Sequence, residues 1–270
     1  ALFEAGGRLG HGLYLLLGFS FGAAGPLFRS PCISRNDSRI PVNNALVPCA
    51  KPEHGIVRTP AHQPDSVRVI AGPYYAGRFK RFFLGDHFRE TWITPVKVPV
   101  MSLDATKGGL FVHKRGGGRQ TKSLKFKTLE GFDYVFRSVD KDPISALSYD
   151  LRSTIIARVT RDQTSSEHPY GALTIAPMLK ELDILHATPE LYVMPDDPRL
   201  GVYQTPFAGM LGMLEERPDD VDQGEPTFAS ADRILKSHEL FQERYNEYHV
   251  RIDSREFARA RIFDILVGGW

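Results

Sequence analysis

Residues 114–128, KRGGGRQTKSLKFKT, concentrate the side chains and backbone that handle phosphate: three consecutive glycines, arginines and lysines around them, and hydroxyls. Glycine lets backbone N–H groups approach phosphate oxygens with no Cβ in the way, and the cations supply counter-charge. From Gly116 the chain reads G-G-G-R-Q-T-K-S, one residue short of G-x-x-x-x-G-K-[ST], because Thr121 stands at the second glycine position. That pattern works where a buried strand feeds a helix whose N-terminus holds the phosphates. Here Leu124 and Phe126 alternate with Lys125 and Lys127, the period of a strand. The glycines are therefore expected in a β-hairpin, with a plain flexible turn as the competing reading. Charge favours phosphate. Residues 105–129 carry seven basic side chains and no acidic one. Lys125 and Lys127 belong to the solvated face of a strand, which leaves Arg115, Arg119 and Lys122 as the phosphate candidates.

The elements that must position this loop follow from periodicity. Val96, Val98 and Val100, then Leu110 and Val112, Leu124 and Phe126, and Tyr134 and Phe136 recur every second residue, so residues 96–139 read as an antiparallel meander. After Asp142-Pro143 the spacing lengthens. Leu147, Leu151, Ile155 and Val159, and then Ala172, Ile175, Leu179 and Leu182, predict two helices. Residues 191–194 and 210–214 are short apolar runs bounded by Pro and Gly and predict two more strands. Residues 230–248 and 254–267 predict closing helices. Upstream, Phe79, Phe82, Phe83, Phe88 and Trp92 predict one or two short helices that pack aromatic rings onto a core.

Composition sets the outer bounds. With 270 residues and 42% hydrophobic content the chain has enough apolar material for a sizeable core, and a net charge of +2 gives no whole-chain signal for a nucleic-acid partner. Residues 13–25, LYLLLGFSFGAAG, are too short for a membrane-spanning helix and fit the hydrophobic region of an export signal. The organisation expected is a signal-like segment at 1–30, a linker or disordered tether at 31–73, a folded unit at 74–218, and a helical portion at 219–270. Cys32 and Cys49 have no zinc-site spacing, and their pairing stays open.

A glycine-rich hairpin, a third strand, a helix and two more strands form the layout of the small lobe of protein-kinase-like folds, where the loop covers nucleotide phosphates. The predicted fold class is α+β: an antiparallel small lobe of this type with packed helices, followed by the first helices of a helical lobe. The segments KRGGGRQTKSLKF, YVFRSVDKDP, HPYGALTIAP, MPDDPRLG, LEERPD and FARARIFDILVGGW resemble a family of bacterial envelope proteins described as surface antigens, outer-membrane barrel proteins of the assembly-factor type, or metallophosphoesterases. The resemblance runs from about Ser66 to Trp270. The shared region is itself similar to kinase-like domains of the HipA and spore-coat CotH groups.

This resemblance implies an exported, periplasmic or outer-membrane-associated protein that binds ATP with Mg²⁺. Gly116, Gly117 and Gly118 would cover the phosphates, and Arg119 and Lys122 would flank them. Arg137, in Y-V-F-R, stands where the third strand normally presents a lysine to the α- and β-phosphates. Arginine is not an equivalent replacement, so Lys122 or Lys141 is the alternative cation. Its acidic partner from the next helix would be Asp162 or Glu167, and backbone groups of Glu215, Glu216 and Arg217 would form the hinge against adenine. The catalytic loop of the related groups is expected after Trp270, which leaves phosphotransfer by these residues alone unsupported. A non-catalytic envelope module for protein, glycan or lipid headgroup is the second expectation.

The remaining motifs read as structural. Asp219 to Glu225 lacks calcium-loop spacing. Asp196 and Asp197, in M-P-D-D-P-R, are expected to cap a turn or pair with Arg199. His168, His186, His238 and His249 lack metal-ligand spacing, and no nucleophile signature appears.

Overall fold

A computed structural model describes residues 2–6, 12–16, 65–116, 120–218, 228–231 and 233–268. In chain order the strands are β1 (Leu2–Gly6), β2 (Gly12–Leu16), β3 (Ser66–Val69), β4 (Val96–Pro99), β5 (Phe111–Arg115), β6 (Thr121–Lys127), β7 (Asp133–Lys141), β8 (Glu190–Val193), β9 (Leu211–Glu216) and β10 (Arg233–Lys236). The helices are α1 (Arg78–Leu84), α2 (Arg89–Ile93), α3 (Ile155–Asp162), α4 (Gly171–Glu181), α5 (Gln204–Phe207), α6 (Ser237–Asn246) and α7 (Ser254–Val267). The protein is α+β.

Five antiparallel strands form the central sheet in the order β5-β6-β7-β9-β8. The expected meander holds for β5 to β7, whereas β4 leaves it and pairs with β3 in a separate two-stranded sheet. β3 lies inside the segment expected as a linker. Its Val67 and Val69 pack with Val96 and Val98, which extends the folded unit upstream of residue 74.

Alternation along the strands explains the two-sided burial of this sheet. One face presents Leu124, Phe126, Phe136 and Leu214 to Met101 and Leu103 from the segment after β4, Met194 just after β8, and Phe207 of α5. The other presents Val139, Val193 and Leu211 to Tyr74, Trp92 and Val98. A third cluster joins Leu179 of α4, Leu235, Leu240 of α6, and Ala260 and Phe263 of α7.

Local signals place several ends. Asp253 accepts hydrogen bonds from the amides of Arg255 and Glu256 at 2.9 and 3.1 Å, and Gly268 closes α7 at φ 69°. Three expectations need correction. Helix was expected across 230–248, but residues 233–236 form β10, which runs parallel to β2. Helix was also expected from Leu147, yet only Ile155–Asp162 is α-helical; shorter 3₁₀ turns precede it, and Thr154 caps α3 by accepting from Ile156 N. Phe79, Phe82 and Phe83 are 79%, 82% and 65% exposed, so α1 does not seat its rings on the core. The helix is tied down instead by Arg81, which donates to Ala76 O and pairs with Asp86 and Glu90. Residues 17–25 of the apolar run, Cys32, Cys49 and the acidic loop 219–225 lie outside the described residues. No helix among the described residues is long and apolar enough to cross a membrane.

Candidate phosphate-facing site

A strand, not a helix, follows Lys122: β6 begins at Thr121 and pairs antiparallel with β5. The glycines therefore join two neighbouring strands. Gly117, Gly118 and Arg119 lie outside the described residues. Gly116 donates its amide to Ser123 O at 2.9 Å, and a Cβ there would sit 2.0 Å from Ser123 Oγ. The Ser123 side chain thus leaves little room for a Cβ at this position, whatever the loop binds.

The free end of β7 returns to the hairpin. Lys141 stands opposite Thr121, and the Asp142 amide donates to Gln120 O at 2.6 Å. The Lys141 ammonium pairs with the Glu167 carboxylate, and the Glu167 carbonyl accepts from Trp92 Nε1 at 2.8 Å. Of the two acids proposed for this role, Glu167 meets the lysine. Asp162 does not: it accepts two hydrogen bonds from Arg89, at 3.0 and 2.6 Å, and pairs with Lys80 at 2.5 Å. Burial pushes the Asp162 carboxyl up, but the bonds and charges of Arg89 and Lys80 outweigh it and hold it below the usual range.

Next to Lys141 lies a network that spacing alone did not reveal. Asp140 accepts from Tyr74 OH at 2.6 Å and from both terminal nitrogens of Arg161 at 2.9 and 2.5 Å, while Arg161 also reaches the Lys141 carbonyl. Burial, followed by the bond to Asp140, pushes the Tyr74 phenol well above its ordinary range. The network clamps the end of β7 to α3. Its residues are separated by 66 and 21 positions, so no local motif could announce them.

Arg137 lies opposite Ser123, and its Nε donates to Glu215 across β9 at 2.7 Å. Its side chain remains 48% exposed. Lys122 is exposed, and its amide donates to Ser138 Oγ at 3.1 Å. The hinge group divides. Glu215 shares the face of Arg137, but Glu216 pairs in register with Tyr134 and projects to the opposite face. The Arg217 amide is already bonded to Asp133 O at 2.7 Å. Tyr134 and Lys141 are seven strand residues apart, about 23 Å, so Glu216 and the hairpin occupy opposite ends of β7. The structure thus brings Gly116, Ser123, Arg137 and Glu215 onto one stretch of sheet and Lys141 with Glu167 to its end, and leaves Glu216 outside that group.

Asp197 behaves as a cap, accepting from Arg199 N at 2.9 Å and pairing with the Arg199 guanidinium at 2.6 Å; Asp196 accepts from Gln204 at 2.7 Å. No cluster of three or more His, Cys, Asp or Glu that could hold a metal occurs among the described residues. No family model, curated protein or solved structure matches the chain.

Proposed function

We infer that the central sheet is a nucleotide-binding small lobe of the protein-kinase-like type, with the hairpin after β5 laid against the phosphates of ATP. One observation carries the reading. The strand order β5-β6-β7-β9-β8 inserts the last strand beside the third, and at the hairpin end of that third strand Lys141 is ion-paired to Glu167 from the intervening helical segment. In kinase-like chemistry such a pair holds a lysine in position for phosphate oxygens. Lys141 takes this role four residues beyond Arg137, whose guanidinium is engaged by Glu215.

The basic side chains fit a polyphosphate. Magnesium is ordinarily held by one or two carboxylates together with the nucleotide phosphates, and no step is assigned to it here. The motif resemblance supports an exported, envelope-associated location, whereas residues 13–16 of the apolar run lie in β2, paired with β1 and β10, and add nothing to it.

Titration with Mg-ATP under differential scanning fluorimetry tests the reading. At nucleotide about 100-fold above Kd the gain is about 2.7 kcal/mol, a clear rise in Tm. Lys141→Met should reduce that rise while leaving the apo protein folded. Absence of any shift in wild type removes the proposal.

A second reading, a non-catalytic interaction module on the same lobe, is favoured by Arg137 being bonded to Glu215. It predicts no nucleotide response and an unchanged protein after Lys141→Met.

A further inference from the structure

A cavity of about 230 Å³ opens at the other end of the sheet, where β9 finishes and β8 begins. Glu216, Tyr134 and Glu190 reach it from the face opposite Arg137, and Lys107 and His186 close its sides. The site is thus separate from the proposed nucleotide face and does not depend on that reading.

Its charges do not cancel. Lys107 Nζ lies 2.5 Å from Glu190 Oε1, and Tyr192 donates to Glu190 Oε2 at 3.0 Å, so Glu190 is already satisfied. Burial raises the Glu190 carboxyl, but these two bonds and the Lys107 charge outweigh it and leave it lowered. Glu216 makes no hydrogen bond or ion pair among the described residues. Burial pushes its carboxyl up, and Lys107 offsets this only in part. One negative charge is left over. His186 Nδ1 lies 2.7 Å from the Ile184 carbonyl, which favours a proton on Nδ1; in the neutral ring of this tautomer Nε2 is an acceptor. Lys107 Nζ lies over the Tyr134 ring, 5.9 Å from its centroid, while pairing with Glu190.

We propose that the cavity binds a small organic cation bearing a primary ammonium group, with Glu216 as counter-ion, the Tyr134 ring as one wall, and His186 Nε2 and the Thr188 hydroxyl as acceptors. An anion would meet two carboxylates and only one lysine, which is already paired. The volume is below that of drug-sized sites, so the ligand is compact, an amino alcohol or a short diamine.

The test is a backbone-amide NMR titration of the full chain with ethanolamine, putrescine and agmatine, and with acetate as the anionic probe. Saturable shifts at His186, Thr188 and Glu216 are expected with at least one amine. Glu216→Gln should weaken binding by about tenfold or more, while Lys141→Met should leave it unchanged. Wild-type affinity should fall on acidification as Glu216 takes up a proton. No saturable shift with any amine, equal binding of acetate, or an undiminished response in Glu216→Gln overturns the proposal. Should Glu216→Gln fail to fold, an affinity independent of pH from about 4 to 7 in wild type overturns it equally.

Discussion

Asp162→Asn tests whether this acid supports the fold or serves the site. Arg89 is completely buried, and Asp162, 7% exposed, neutralises it through hydrogen bonds of 3.0 and 2.6 Å. The Arg89 guanidinium also donates to Gly85 O and Tyr74 O at 3.0 and 3.3 Å, so it cannot turn out to water without breaking the α1–α2 connection. Asparagine keeps one acceptor but turns an NH₂ group toward the other Arg89 nitrogen and removes the charge. Stranding one member of a buried pair costs about 3–5 kcal/mol. Lys80, whose side chain is 42% exposed, returns to solvent and adds little. A loss of about 4 kcal/mol is therefore expected in urea denaturation at neutral pH, or about 12 °C in Tm for a unit of this size. Replacing both partners, Arg89→Met with Asp162→Leu, should cost less than Asp162→Asn alone, since no charge is stranded. The pH dependence has a definite sign. The folded-state pKa of Asp162 is lowered, so its stabilisation is complete above the unfolded value of about 4 and is lost as pH falls through the lower folded value. The gap between wild type and Asp162→Asn should close only in that acidic window. A loss under about 1 kcal/mol at neutral pH, or a gap that closes near neutrality, would refute the assignment.

Two glycines carry further expectations. Gly116→Ala places a Cβ 2.0 Å from Ser123 Oγ and 3.0 Å from Ser123 Cβ, and should destabilise by about 1–3 kcal/mol through overpacking. Combining it with Ser123→Ala should restore part of that loss in a double-mutant cycle, and a neutral single variant would remove the close approach as the reason for this glycine. Gly212→Ala faces the Phe136 ring at 2.3 Å and the Arg137 carbonyl at 2.6 Å, neither free to yield, so a loss of about 3 kcal/mol or more is expected by chemical denaturation. Stability equal to wild type would mean that β7 and β9 are not in the observed register.

Local chemistry made much of the fold legible. Strict alternation at Leu124 and Phe126 distinguishes a strand from a phosphate-binding helix start, because side chains reverse face at each residue whatever the rest of the chain does. The 254–267 helix is equally local, with Asp253 as its cap and Gly268 in the left-handed conformation that ends it. Aromatic density at residues 79–83 misled, since it reports apolar content and not which side a short helix turns to its neighbours.

What period and composition leave open is partner choice, and here only tertiary structure decides. Nothing near Val96 tells it to join Ser66–Val69, and nothing near Leu211 sends β9 between β7 and β8; each choice is settled by which apolar faces remain to be covered. The same holds for charge. Glu167 and Asp162 are equivalent candidates until α3 packs, at which point buried Arg89 claims Asp162 and Lys141 meets Glu167. Glu215 and Glu216, adjacent in sequence, end on opposite faces, one bonded to Arg137 and the other without an ion pair in a cavity. Residue types and periods are short-range properties of the chain, whereas ion pairs and cavities arise from contacts between residues tens of positions apart, and those exist only once the sheet and helices have packed.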